Sequence, residues 1–268
     1  MIQSVVIAIV LAIALAFPSP ACSSAAKLLL ATDDTPGNPW IMGGGSQFDP
    51  QRPGIEIELY RLMAARLNIR LEMVRIPWKR CLSELKLGRL DGIFPASFKP
   101  ERLSLGVYPM RDGRVDPFRK SRDSAYFLYI RKSSPLGWDG QRFVNLHLMD
   151  RRTIGVPLGW SIASDLRRME IDLLEKPRPT DLLEILNRGG IAGVVCLDTV
   201  TDTYISQKPD RFNQIRKTDP AVAKKAYYLM LSQPFVSRNP ALAEKIWDTI
   251  AAIKTEDAFA AIMNRYMR

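Results

Sequence analysis

An α/β fold built from two successive units is predicted by three patterns in this 268-residue chain. Short apolar strands alternate with amphipathic helices. That alternation restarts past residue 150. Two similar apolar segments bracket the second unit. The first unit opens with a strand at Leu28–Thr32, followed by a loop rich in Gly, Pro and Asp from Asp33 to Pro53. Ile55, Leu59, Leu62, Met63 and Leu67 fall at helical spacing, with Asn68 ending the helix. Ile69, Leu71 and Met73 alternate with Arg70 and Glu72, the period of a half-buried strand. A helix carrying Leu82 and Leu85 ends at Gly88, and Gly92–Phe94 begins the next strand.

The second unit repeats the pattern. Thr153–Val156 reads as a strand, and Ile162, Leu166 and Met169 share a helix face. Leu182, Leu183 and Leu186 mark another helix, and Ile191–Leu197 a buried strand. Ala125–Ile130 and Ala226–Leu231 flank this unit as similar apolar strands, so the chain enters and leaves it through two crossing strands, the makings of a hinge. Asn239 and Pro240 read as an N-cap and first-turn pair for a helix with Leu242, Ile246, Ile250 and Ile253 on its apolar face. Phe259, Ile262, Met263 and Tyr266 do the same for a last helix.

Residues 1–26 read as a signal peptide. Val5 to Phe17 is an uninterrupted apolar run, too short for a membrane span of about 20 residues but suited to the middle of a secretory signal. Small residues permit cleavage after Ala21 or after Ala26. Cys22 raises lipid anchoring as an alternative, although Ser19 stands where a lipoprotein signal carries an aliphatic residue. A periplasmic location follows as the expectation. Cys81 and Cys196 are expected as two separate buried thiols in different units.

All 38 basic and 28 acidic side chains lie beyond residue 26, giving a net charge of +10. The basic residues are scattered singly, without a zinc or helix-turn-helix pattern, which argues against nucleic acid as the partner. His147 is the only histidine and sits in an expected loop, so no Ser-His-Asp or metal-ligand arrangement emerges. No cofactor is expected.

Four stretches carry a resemblance to a known family: Trp78-Lys79-Arg80 leading to Gly88-Arg89-Leu90-Asp91-Gly92; Lys99-Pro100-Glu101-Arg102; Gly155 to Ser161; and Gly190 to Asp198. Their order and spacing resemble the type II periplasmic solute-binding proteins, extracellular family 3, which mostly serve amino-acid transporters. The resemblance implies a two-lobed periplasmic-binding-protein type II fold with two hinge strands. Lobe 1 is then discontinuous, 27–126 plus 231–268, and lobe 2 spans 127–230. It implies a clamp for a small amino-acid-like or carboxylate solute, acting as a monomer with the permease of an ABC transporter or with a sensor kinase. A cyclohexadienyl-dehydratase-like enzyme on the same fold is the rival reading, and a binding protein without catalysis is the expectation.

The resemblance also implies site residues. Arg102 takes the place of the arginine that holds the ligand carboxylate, a match of fork to carboxylate that stays charged at any relevant pH. Ser161, after Gly159 and Trp160 at a helix start, is the second anchor, and Trp160 replaces a usually small residue. Asp198 aligns with the aspartate that pairs with the ligand's amino group, and can equally cap the helix after it. Trp78 stands where an aromatic stacks on the ligand. Asp33 stands where side-chain ends of cationic ligands are met, or is simply a turn residue beside Asp34. Ser97 remains as a hydroxyl donor where Lys99 replaces another.

Overall fold

A computed structural model describes residues 26–267. Of the expected signal peptide, 1–26, the first 25 residues, with Cys22 and the Ala21 site, lie outside the described residues. No helix among the described residues is long and apolar enough to cross a membrane.

Nine strands form one continuous sheet. In chain order they are β1 (Lys27–Thr32), β2 (Arg70–Arg75), β3 (Gly92–Ser97), β4 (Arg122–Arg131), β5 (Ile154–Pro157), β6 (Leu173–Lys176), β7 (Gly193–Leu197), β8 (Ile215–Lys217) and β9 (Ala223–Leu231). Their spatial order is β6-β5-β7-β4-β9-β3-β1-β2, with β8 also paired to β4. Each end of the sheet is parallel, as crossover helices require: β1 pairs β2 and β3 in parallel, and β5 pairs β6 and β7 in parallel. The middle is antiparallel, because β4 and β9 run past each other between the two ends.

The helices are α1 (Ile55–Arg66), α2 (Trp78–Lys86), α3 (Ile162–Arg168), α4 (Pro179–Asn187), α5 (Asp198–Gln207), α6 (Gln233–Arg238), α7 (Pro240–Ile253) and α8 (Asp257–Met267). The entry into α1 depends on Gly54, whose φ of 116° and approach to Trp40 leave no room for a Cβ; one would lie 2.3 Å from the Trp40 carbonyl oxygen. Strands β6 and β8 are additions to the sequence reading. Both are short, and neither carries a run of buried apolar residues that would announce it. Met169, expected on the apolar face of α3, instead follows the helix and is 44% exposed, because α3 stops after only two turns.

Apolar side chains gather into separate cores. One draws on Leu128, Ile154, Val156, Ile162, Leu166, Leu186 and Val194. Another draws on Leu28, Leu30, Leu59, Tyr60 and Met63 together with Ile246, Trp247, Ile250, Phe259 and Ile262, so α7 and α8 pack against α1 although some 180 residues separate them. A smaller cluster of Trp78, Cys81, Leu85, Ile93 and Tyr228 lies on the other face of the same half of the sheet. The C-terminal helices are also fastened by polar contacts. Trp247 Nε1 donates to the Leu229 carbonyl at 2.8 Å, and the Tyr266 hydroxyl accepts from the Gly54 N–H at 3.1 Å. Asn239 does not cap α7 with its side chain, as was expected; its amide donates back to the Phe235 carbonyl at 3.3 Å, because α6 ends immediately before it. Cys81 and Cys196 are both buried and unbonded, one in α2 and one in β7.

Candidate functional site

A cavity lies between the two halves of the sheet, where the loops after β1 and β3 face the segments before α3 and after β7. This is the C-terminal edge of parallel strands, the usual ligand position in open α/β sheets. Asp33, Trp78, Ser97, Arg102, Trp160 and Ser161 all line it. These residues come from segments far apart in sequence and are assembled by the two crossing strands.

Arg102 is 7% exposed. Its Nη1 donates to the Ser97 carbonyl at 2.9 Å and to Ser97 Oγ at 3.3 Å, while Nη2 reaches across the cavity to the Gly159 carbonyl at 3.2 Å. The guanidinium lies 5.4 Å from the centre of the Trp78 ring, within cation–π range. All of these acceptors are neutral. Ser97 Oγ donates to Ser161 Oγ at 2.8 Å, so two hydroxyls from opposite walls meet beside the arginine. Ser161 makes no capping hydrogen bond to α3; its hydroxyl is turned to Ser97 and to the Lys225 ammonium, 3.1 Å away. Gly159 is not a wall residue. It contributes its carbonyl, and its φ of +76° is the turn that aims that carbonyl at Arg102.

The loop carrying Asp33 is shaped by Arg75, which donates to the carbonyls of Asp33 at 3.4 Å and Asp34 at 3.0 Å. The Asp33 carboxylate accepts the Thr35 N–H at 2.7 Å. Burial raises its pKa to about 6, against the opposing pull of the Thr35 hydrogen bonds.

Asp198 departs from the expectation. It is the first residue of α5 and lies outside the cavity, in a shallower depression with Trp40 and Lys224. Its neighbours Leu197 and Thr199 take the wall positions. The physical reason is the helix start: its carboxylate stays local and accepts the Thr199 N–H at 2.7 Å.

Among the wall residues that were not foreseen, four bear on the chemistry. Tyr126 and Tyr227 belong to the crossing strands, and the Tyr227 hydroxyl donates to that of Tyr126 at 2.9 Å. Burial pushes Tyr126 up to about 12 and raises Tyr227 well above the usual tyrosine range, so both hydroxyls stay neutral. Arg122 also lines the cavity, but its Nε is paired with Glu56 at 3.1 Å. Val200 adds apolar surface. The repeated Ala-Tyr in Ala125-Tyr126 and Ala226-Tyr227 was the available signal, read only as strand.

The description "Bacterial extracellular solute-binding proteins, family 3" belongs to the family model that matches residues 44–268. A histidine kinase sensor domain with similarity to periplasmic binding proteins superposes with a TM-score of 0.71 at 17% identity, covering 90% of this chain and 96% of its own. An ancestral arginine-binding protein bound to glutamine gives 0.68 at 16% identity, with coverage of 91% and 98%. The GluR0 ligand-binding core of Nostoc punctiforme in complex with L-glutamate gives 0.66 at 16%, with 89% and 98%. No match was found among curated protein sequences. The structural likenesses establish the two-lobed type II binding-protein fold.

Proposed function

Because this chain belongs to the bacterial extracellular solute-binding proteins of family 3, we propose that it clamps a small amino-acid-like or carboxylate solute in the cavity between its lobes and does not turn it over. The observation that carries this reading is Arg102, a buried guanidinium on the cavity wall whose protein partners are all neutral. A buried charge of this kind is satisfied by a ligand anion, and a carboxylate matches the fork. Ser97 and Ser161 supply hydroxyls beside it. Trp78, Trp160, Tyr126 and Tyr227 enclose the ligand's body, burying apolar area at low entropy cost. Asp33, the acidic group inside the cavity, takes a positively charged ligand group when ionised.

We assign lobe 1 to residues 27–126 plus 231–268 and lobe 2 to 127–230, on the packing of α7 and α8 with α1 and on the separate core around Leu128 and Val194. Closure then unites contacts from both lobes. Arg102 and Gly159, like Ser97 and Ser161, meet only when the walls approach, so bound solute shifts the population toward the closed form. The protein works in the periplasm and hands its solute to the permease of an ABC transporter. Thermal unfolding against a panel of amino acids and small carboxylates tests the reading. A solute at 100 times its dissociation constant is expected to add about 2.7 kcal/mol of stability. A panel in which neutral analogues stabilise as well as their carboxylates would overturn the role given to Arg102.

A further inference from the structure

Beyond the Ser97–Ser161 hydrogen bond the cleft continues into a second, more open compartment. Its charges do not balance. Lys99 reaches it from the segment after β3, Asp165 and Arg168 from α3, and Lys225 from the crossing strand β9. All three cations converge on one carboxylate. Lys99 Nζ lies 3.0 Å from Asp165 Oδ1, Arg168 contacts the same oxygen, and Lys225 contacts Oδ2. Glu101 also lines the compartment but forms no ion pair among the described residues. The side chains of Lys99 and Lys225 are only 10% and 14% exposed.

Two nearly buried ammonium groups carry six N–H donors between them, and Asp165 offers two oxygens, one of which Arg168 also uses. Ser164 and Ser161 accept from Lys99 and Lys225, but a hydroxyl brings no negative charge. Arg102 adds its field from the other side of the partition. Burial lowers the Lys225 pKa to about 8 although Asp165 opposes the shift, and Lys99 and Arg102 push it the same way as burial. Excess positive charge held out of water favours an added anion. Donors arriving from three directions suit one with oxygens on every side.

We propose that this compartment binds a small oxyanion of the phosphate class between Lys99, Lys225 and Arg168, at a site distinct from the Arg102 cavity. Because Lys99 and Asp165 stand on opposite walls, the anion also ties those walls together.

The probe is inorganic phosphate, titrated into the full chain without added solute, with ionic strength held constant by chloride and thermal unfolding as the readout. A saturable rise in Tm is expected in the wild type and in Arg102→Met, and its loss in the Lys99→Met/Lys225→Met double variant. Asp165→Asn removes the internal competitor and is expected to tighten phosphate at least threefold. A wild-type curve matching the chloride control overturns the site. So does a double variant that keeps the saturable shift, loss of the shift in Arg102→Met, or unchanged or weaker affinity in Asp165→Asn. If the double variant does not fold, Arg168→Ala replaces it: its side chain is 66% exposed, and a severalfold weaker phosphate affinity is expected. Unchanged affinity there overturns the proposal.

Discussion

Two buried arginines stand on the walls of the same cavity and are treated differently by the protein. Arg122 has its anion built in. Glu56 pairs with its Nε at 3.1 Å and is itself held by the Ser121 hydroxyl at 2.6 Å and the Tyr60 hydroxyl at 3.2 Å. The guanidinium is further flanked by the rings of Trp40 and Tyr227, at 5.2 and 5.3 Å. Arg102 has one ring, two carbonyls and a hydroxyl, and no carboxylate. Similar burial with unequal neutralisation separates a charge that completes the fold from one that, on the function proposed above, waits for a ligand. The same logic reaches Asp33, an acid in the cavity with no basic side chain paired to it among the described residues.

The sharpest way to break this comparison is to truncate each arginine in turn. Arg122→Met leaves Glu56 buried without its cation and is expected to cost about 3–5 kcal/mol of stability, read by denaturant unfolding. Arg102→Met is expected to spare the unliganded fold by comparison. Should both variants unfold at the same denaturant concentration, the distinction between them collapses. Calorimetry supplies the reverse contrast. Arg102→Met is expected to weaken the cognate carboxylate by about 2–5 kcal/mol. An unchanged affinity would return Arg102 to a structural role.

A pH series extends the comparison to Asp33. Its folded pKa is raised to about 6 from 3.8, so the folded state holds its proton longer than the unfolded chain. Below pH 3.8 both states are protonated and the group makes no difference. Between 3.8 and about 6 the unfolded chain gives up its proton first, so stability falls as pH rises, and the loss is complete above the folded pKa. The full effect is of the order of 2–3 kcal/mol. Asp33→Asn should remove that slope and stabilise the unliganded protein at pH 7; a slope that persists in the variant assigns it to other groups. The smallest effect is expected at Asp198. Removing its contribution to the first turn of α5 should cost at most about 1 kcal/mol, with ligand affinity unchanged. A large loss of affinity in Asp198→Asn would move the amino-group contact from Asp33 back to Asp198.

The fold was legible because its determinants are local. The period of Ile69, Leu71 and Met73 and the helical spacing of Ile246, Ile250 and Ile253 depend only on which side of one element meets a core. The cavity was legible where the family resemblance points to a residue, as at Trp78, Ser97, Arg102 and Ser161, all of which line it. It was not legible where one residue of register decides. Leu197, Asp198 and Thr199 are consecutive, yet only the outer two face the cavity, because α5 begins on the aspartate. Nor can a sequence show that Lys225 meets Asp165, which is 60 residues away and reached only once β9 has crossed the cleft. Tyr126 and Tyr227 were hidden by their own apolar surroundings, since a tyrosine in such a segment reads as packing until its hydroxyl is found turned toward another.

The crossing strands also set the mechanics of the molecule. From Ala223 opposite Tyr126 to Tyr227 opposite Arg122, β9 and β4 are joined rung by rung, so neither can slide along the other without breaking the ladder. β9 also pairs with β3 on one side and β4 with β7 on the other, which clamps this short ribbon along both edges. A ribbon held this way is stiff to stretching and shear but yields to bending and twist. The molecule therefore has few soft coordinates, and under the clamp proposed above a bound solute needs to act on only one of them to bring the two walls together.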